Sequence, residues 1–183
     1  MYWDEVIYIN TKQIILDATV KLMKSKEAKN LTVQKILNEA HISRATFYKF
    51  FADKYDVINY YFESYVEQRT KDKNEDDMTL LEACAFNFIY DNKDYFLNAI
   101  KLEGQNSLKK FFYDYYYNSS VKIYLMNMKK KELSRKDEIA ISFYCIGSLH
   151  VLMEWLENGT KESPEFMASV IHKLIPKQYW NIN

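Results

Sequence analysis

The chain has 183 residues, of which 48% are apolar and 27% are charged, and its formal net charge is zero. This length is enough to bury a sizeable core in one or two domains. Early acids at Asp4 and Glu5 are unlike a secretory signal, and no apolar run approaches the roughly 18 residues of a membrane span. Cys84 and Cys145 lack the spacing of a redox or metal motif. We therefore expect a reduced, cytoplasmic protein without a membrane segment.

Positive charge is concentrated near the N-terminus. Between Ile9 and Phe51 there are eight basic and three acidic residues, so this segment carries +5 and the rest of the chain −5. A basic segment on a neutral chain favours a nucleic-acid-binding domain joined to a second part. Only three glycines and two prolines occur, and no turn dipeptide joins two alternating runs. The composition therefore predicts an all-α protein.

Three short helices are predicted in this basic segment. The first begins at Asn10 or Thr11, where apolar residues start to recur every three or four positions. Thr32 is the expected N-cap of the second helix, and Ser43 is that of the third, after a turn at His41. Two helices of this size joined by a short turn form a helix-turn-helix unit, whose second helix enters the DNA major groove.

The third helix begins with residues suited to reading DNA. Arg44 can donate to both acceptors of a guanine, and the small Ala45 allows the backbone to approach closely. Tyr48 and Lys49 can donate to phosphates, and Lys54 can reach the same DNA backbone. An ordinary helical hairpin with a solvated face is the alternative. The candidate DNA-binding residues are Thr32, Ser43, Arg44, Ala45, Thr46, Tyr48, Lys49 and Lys54.

This segment resembles the TetR family of bacterial transcription regulators. Like residues of the family pattern T-V-x-x-I-x-x-x-A-x-V-S-x-x-T-L-Y-x-x-F-x-x-K stand at Thr32, Val33, Ile36, Ala40, Ile42, Ser43, Thr46, Phe47, Tyr48, Phe51 and Lys54, and Arg44 follows Ser43 at a variable position. The family usually has glycine where this chain has His41, and histidine tolerates a left-handed conformation at modest cost. The resemblance implies a homodimer that binds a palindromic operator and commonly releases it when a small-molecule effector binds.

The rest of the chain is predicted to form a helical bundle. Asp53 should cap a fourth helix that runs to about Thr70, and the polar residues 71–77 indicate a loop or hinge. Further helix starts are expected at Asp77 or Thr79, at Asn92, near Asn106 or Ser107, and at Ser134 and Ser163. We therefore expect a helix-turn-helix DNA-binding domain at residues 1–53 and a helical regulatory and dimerisation domain at residues 54–183.

The eighth predicted helix, which starts at Ser134, is apolar on nearly every face. Such a helix must be covered on two sides, so one side faces its own bundle and the other needs a partner. In the resembled family, helices 8 and 9 of two chains form an intermolecular four-helix bundle. The expected dimer-interface residues are Phe143, Gly147, Val151, Trp155, Met167, Val170, Ile171 and Leu174.

The tyrosine-rich middle of the chain has two interpretations. Aromatic residues at helical spacing usually form a core, but they can also line an apolar effector pocket with a few polar groups. The candidate pocket residues are Cys84, Asn87, Tyr90, Phe112, Tyr113, Tyr116, Tyr144 and His150. His150 and Glu154 supply only two metal ligands, and no catalytic arrangement or phosphate loop is evident, so no metal, cofactor or enzyme activity is expected.

Two modes of regulation remain open. The first is a repressor that a small-molecule effector releases from DNA. The second is a coregulator or activator that acts through a protein partner, since the W-L-x-N-G segment at Trp155–Gly159 is similar to a subset of the family that includes activators. Loss of DNA binding with a small molecule favours the first mode, and a requirement for a co-expressed protein favours the second.

Overall fold

The computed structural model describes residues 2–70 and 78–175, and all regular structure in those residues is helical. The helices are α1 (Tyr2–Met23), α2 (Val33–Ala40), α3 (Arg44–Tyr48), α4 (Lys54–Thr70), α5 (Met78–Asp91), α6 (Lys93–Ala99), α7 (Leu108–Asn127), α8 (Arg135–Glu157) and α9 (Pro164–Lys173). The predicted all-α class is confirmed. The loop expected at residues 71–77 lies outside the described residues.

Local capping fixes where several helices begin. Thr32 caps α2 and Ser43 caps α3 through side-chain oxygens that accept backbone N–H bonds. Ser134 and Asp137 form a reciprocal capping box at the start of α8, and Ser163 caps α9. These predicted starts are confirmed, because each signal lies within a few contiguous residues.

One helix start differs clearly from the expectation. α1 begins at Tyr2 rather than at Asn10 or Thr11. No glycine or proline interrupts the residues before Asn10, so the helix extends through them. A favourable capping residue at position 10 or 11 does not by itself set the helix start. The side-chain amide of Asn92, expected to cap α6, donates to the Phe88 carbonyl of the preceding helix at 3.0 Å.

The described residues divide into two compact units. The first comprises residues 2–63 and 94–108, and the second comprises residues 64–70, 78–93 and 109–175. The first half of α4 and α6 from Asp94 onward belong to the same unit as the N-terminal helices. Within the first unit, the Tyr95 hydroxyl donates to the Ile58 carbonyl at 3.1 Å, and the rings of Phe62 and Phe96 meet edge-on at 6.2 Å. The units therefore do not follow the division after residue 53, which stays a prediction about function.

The core of the first unit supports the helix-turn-helix. α1 packs on α2, and α2 packs on α3. Fully or nearly fully buried side chains in this core include Ile15, Met23, Leu31, Ile36, Leu37, Phe47, Phe51, Val57, Ile58 and Phe96. Burying one such large side chain contributes about 1.5–3 kcal/mol. The short α3, with five residues, is stable because Phe47 anchors it in this core.

The second unit has its own core, in which α9 packs along α5. Its buried side chains include Phe86, Phe88, Ile89, Ile123, Tyr124, Ile141, Cys145, Trp155, Leu156, Met167 and Ile171. The Sγ of Cys145 lies 3.6 Å from the Ser120 hydroxyl, and burial raises the pKa of the Cys145 thiol to about 11. The thiol is therefore kept protonated, as suits a small residue of the core.

One helix among the described residues, α8, is long and apolar enough to cross a membrane by length and composition. Serine, glycine and histidine interrupt α8, so it contains no unbroken apolar run of about 18 residues. The search for such a run in the sequence therefore did not identify this helix. Tyr144, Trp155 and Leu156 bury one face of α8 inside the second unit. That face of α8 therefore belongs to the core of the second unit.

Candidate nucleic-acid interface

The turn between α2 and α3 depends on one left-handed residue. His41 has φ 54° and ψ 42°, and the Ile42 N–H bonds to the Leu37 carbonyl at 3.2 Å. This pattern ends a helix and reverses the chain, usually with glycine at the left-handed position. The left-handed conformation expected at His41 is confirmed.

α3 has one buried face and one exposed face. Phe47 is fully buried, whereas Thr46 is half-buried and its hydroxyl lies 2.8 Å from the Ser43 hydroxyl. The exposed side chains at its ends are Ser43, Arg44, Ala45, Tyr48 and Lys49. The start of α3 therefore presents an arginine, a hydroxyl and a small residue to solvent, as a helix that reads base edges requires.

The start of α4 is tied to the start of α2. The Asp53 carboxylate accepts bonds from the Tyr55 N–H at 2.7 Å and the Asp56 N–H at 2.9 Å, which caps α4. The Lys54 ammonium donates to the Leu31 carbonyl at 2.9 Å. Lys54 thus holds two helices of the first unit together, and its expected contact with DNA stays a prediction.

Residues 103–106, which follow α6, are hydrogen-bonded to the start of α4. The Tyr55 hydroxyl donates to the Glu103 carbonyl, and the Asn106 amide donates to the Asp53 carboxylate at 2.9 Å. A Cβ at Gly104 would lie 2.5 Å from the Tyr55 hydroxyl, so the close approach requires glycine. This clamp, formed by residues 103–106 on residues 53–55, fixes the start of α4 and was not predicted from the sequence.

Ion pairs neutralise part of the basic segment. Lys21 pairs with Glu39 at 2.5 Å, and Lys35 pairs with Glu27. The Lys35 hydrogen bond lowers the pKa of the Glu27 carboxyl. These charges cancel locally, whereas Arg44 and Lys49 are exposed basic side chains at the two ends of α3.

In the second unit, a buried carboxyl group joins two of the expected pocket tyrosines. Glu82 Oε1 accepts bonds from the hydroxyls of Tyr116 at 2.7 Å and Tyr144 at 2.9 Å, and Oε2 lies 3.4 Å from His172 Nδ1. Burial raises the pKa of Glu82, against the effect of the tyrosine bonds. Sequence reasoning missed Glu82, although it stands four residues before Phe86 on the buried face of α5.

The other expected pocket residues are scattered. Phe112 is buried, Cys84, Asn87 and Tyr113 are half-buried, and Tyr90 and His150 are exposed. The Tyr113 hydroxyl meets Ser142 at 3.0 Å, and Tyr90 stacks on Trp155. His150 lines an open groove of about 530 Å³ beside Leu149 and Met153. Within the described residues no group of three or more His, Cys, Asp or Glu could hold a metal, and the effector site stays a prediction.

The expected dimer residues lie on both faces of α8 and α9. Phe143, Gly147 and Leu174 are exposed, Val151 and Val170 are half-buried, and Trp155, Met167 and Ile171 are buried within the chain. We therefore assign the last three to the core of the subunit. Ile139, Ile146 and Phe166, apolar residues of the same helices that were not among the expected interface residues, are 55–56% exposed. We call Ile139, Phe143, Ile146, Phe166 and Leu174 the outer apolar stripe.

Two family models match the chain. One, described as bacterial regulatory proteins of the tetR family, matches residues 15–61, and the other, described as a transcriptional regulator C-terminal region, matches residues 81–177. The first match contains the helix-turn-helix, and the second contains the Glu82 cluster and the outer apolar stripe. No curated protein matches the chain in sequence.

Several solved structures share the fold. The dihydroxyacetone kinase operon activator DhaS is 20% identical with a TM-score of 0.68, over 93% of this chain and 97% of that one. A TetR transcriptional regulator from Streptococcus agalactiae 2603V is 15% identical with a TM-score of 0.64, over 95% and 98%. The fatty acid degradation regulator FadR from Bacillus halodurans is 17% identical with a TM-score of 0.60, over 90% and 94%. These identities establish similarity of fold alone.

Proposed function

Since the chain belongs to the TetR family of bacterial transcription regulators, we propose that it binds a palindromic operator in double-stranded DNA as a homodimer. One observation carries the proposal. The capped start of α3 exposes Arg44 while Phe47 on the opposite face is fully buried. A short helix that is anchored by one aromatic residue and presents arginine at its N-terminal end suits insertion into the major groove.

The homodimer is supported by the outer apolar stripe. Phe143 on α8 is 82% exposed, and Leu174, which directly follows α9, is 64% exposed. Large exposed apolar side chains favour association, since burial removes them from water. One recognition helix reads few base pairs, so a twofold dimer with two copies of α3 gives useful specificity. The partner is therefore a second copy of this chain.

Repression that a small-molecule effector relieves is the mode of regulation we propose. The tyrosine-rich second unit supports it, because aromatic side chains with a few buried polar groups suit an organic ligand. Tyr116 and Tyr144, two of the eight expected pocket residues, both donate to the buried Glu82 carboxylate. We further expect a cytoplasmic protein without a cofactor or enzyme activity.

Selection of bound sequences from a random DNA pool tests the DNA-binding proposal. The purified chain should enrich a palindrome, and titration with that palindrome should give one dimer per site. Arg44→Ala should relax the base preference, whereas Lys49→Ala should weaken binding to all sequences. Equal binding of the wild type to random and selected DNA would contradict the proposal.

A second candidate is a coregulator or activator that works through a protein partner. The structurally similar DhaS is named as an operon activator, so the same fold also serves activation. The similarity supports the second candidate in that respect alone. Mobility-shift assays separate the two candidates. A shift by the purified chain alone, lost on addition of a small molecule, supports the repressor. A shift that requires a co-purifying protein supports the coregulator.

A further inference from the structure

A chain of exposed side chains links the recognition helix to the helix before it. Arg44 Nη2 donates to Gln34 Oε1 at 3.3 Å, and Gln34 Nε2 donates to Asn38 Oδ1 at 3.0 Å. Gln34 and Asn38 stand one turn apart on α2, where residues four apart are neighbours. All three side chains are exposed, so the links are not needed to fill the core. We call this set the Arg44–Gln34–Asn38 ladder.

The ladder has a fixed hydrogen-bond direction. A guanidinium group only donates, so Arg44 turns the amide oxygen of Gln34 toward itself. The Gln34 NH2 group then faces Asn38 and turns the Asn38 oxygen toward it. Each amide oxygen thus already accepts a bond inside the ladder. Most of the remaining hydrogen-bonding groups are N–H donors, including four of the five on the guanidinium.

Resting on the DNA binding proposed above, we propose that Gln34 is a positioning residue that holds Arg44 for the paired acceptors of a guanine and does not itself read a base. Reading adenine through an amide requires the amide oxygen to accept from the adenine amino group, and in Gln34 this oxygen faces Arg44. Phosphate oxygens also accept hydrogen bonds, as the guanine acceptors do. Phosphates occur along the whole DNA backbone whatever its sequence, so a contact with them would not favour one base over another.

Competition binding with the full-length chain tests this role. The selected operator, single-base variants of it and random DNA are titrated with the wild type, Gln34→Ala, Arg44→Ala and the double variant. Gln13→Ala is the matched control, because Gln13 is another exposed helical glutamine bonded four residues on, to Asp17 at 2.8 Å. Thermal melting of each variant confirms an intact fold.

Gln34→Ala is expected to reduce discrimination about two- to tenfold at the base position that Arg44→Ala relaxes. The reason is that the Arg44 side chain, no longer held by Gln34, regains its conformational freedom. Binding to random DNA and its dependence on salt should not change. The double variant should discriminate no worse than Arg44→Ala, and Gln13→Ala should resemble the wild type.

Three results would overturn the inference and leave the proposed function intact. These are unchanged discrimination in Gln34→Ala, a loss at a different base position, or an equal loss of affinity for all DNA, which would place the ladder on phosphates. A wild type without any sequence preference would instead refute the proposed function, and the inference with it.

Discussion

The Lys54 ammonium donates a 2.9 Å hydrogen bond to the carbonyl of Leu31, the residue before the Thr32 cap of α2. A lysine that the sequence assigns to the DNA backbone is therefore also an internal tie between α4 and the helix-turn-helix. An ammonium group has three donors, so this bond leaves two for another acceptor. Structural and DNA-binding roles are compatible at this residue, and they can be separated by experiment.

Lys54→Ala is expected to lower both the free energy of unfolding and the affinity for DNA. Loss of the bond to Leu31 should reduce stability by about 1 kcal/mol. Lys49→Ala is the matched control, because Lys49 is exposed and its removal should weaken DNA binding without changing stability. Urea unfolding and anisotropy titrations measure the two quantities. Equal unfolding free energies in the two variants would refute the structural role.

His41→Gly is expected to stabilise the chain. His41 holds φ 54° and ψ 42°, a region in which a side chain costs about 1–2 kcal/mol and glycine costs little. The gain should approach 1 kcal/mol, since glycine also loses more freedom on folding. His41→Val should destabilise, because a branched side chain fits this region poorly. A lower melting temperature for His41→Gly than for wild type would contradict the assigned turn.

Gly104→Ala should destabilise the first unit by about 1–3 kcal/mol, as overpacking does. Its Cβ would lie 2.5 Å from the Tyr55 hydroxyl and 2.8 Å from the ring carbon that bears it, which displaces the ring from Glu103. Gly147→Ala is the comparison in the single chain, where no atom lies within 4 Å of a Cβ and alanine favours the helix, so both variants are melted at concentrations that keep the chain monomeric. Thermal melting should place the two variants on opposite sides of the wild type.

Glu82→Gln should make stability less sensitive to pH. Burial raises the pKa of Glu82 in the folded chain, so the fold favours its protonated form. The protonated Glu82 carboxyl therefore contributes to the free energy of unfolding. This contribution is complete below the ordinary pKa of about 4.3 and is lost as pH rises through the raised pKa of the folded chain. The advantage of Glu82→Gln over the wild type should therefore grow from pH 4 upward.

The other groups facing Glu82 define the control. Tyr116 and Tyr144 stay protonated across this range, since burial raises the pKa of each hydroxyl well above its ordinary value. His172 Nδ1 lies 3.4 Å from Oε2, and its interaction lowers the pKa of Glu82, so the measurement is repeated in a His172→Gln background. A stability difference that does not vary with pH in either background would rule out a titrating Glu82.

Phe143→Glu is expected to dissociate the proposed homodimer without unfolding the single chain. The side chain is 82% exposed in the single chain, so a charge costs little there but is costly in a dry interface. Dimer affinity should fall about tenfold or more. Ile14→Glu, on an apolar residue of α1 that is 41% exposed, is the control. Sedimentation equilibrium showing unchanged association would exclude this face from the interface.

The sequence determined the elements whose signals are local. Thr32, Ser43, Ser134 and Ser163 cap the helices that they were expected to begin, because a cap needs only the backbone of the next few residues. The left-handed conformation at His41 was expected from the resemblance, because the TetR family usually has glycine at this position. The helix-turn-helix is thus contained in contiguous residues.

Tertiary structure decided which groups those helices bring together. The apolar pattern of α8 marks two faces, and only packing against α5 and α7 places Trp155 inside and Phe143 outside. Glu82 meets Tyr144 across 62 residues, and Lys54 meets Leu31 across 23. Such contacts depend on how separate helices dock. Helical periodicity indicates which side chains share a face of one helix, but not which face of another helix they meet. The Glu82–Tyr144 and Lys54–Leu31 contacts therefore could not be predicted from the sequence.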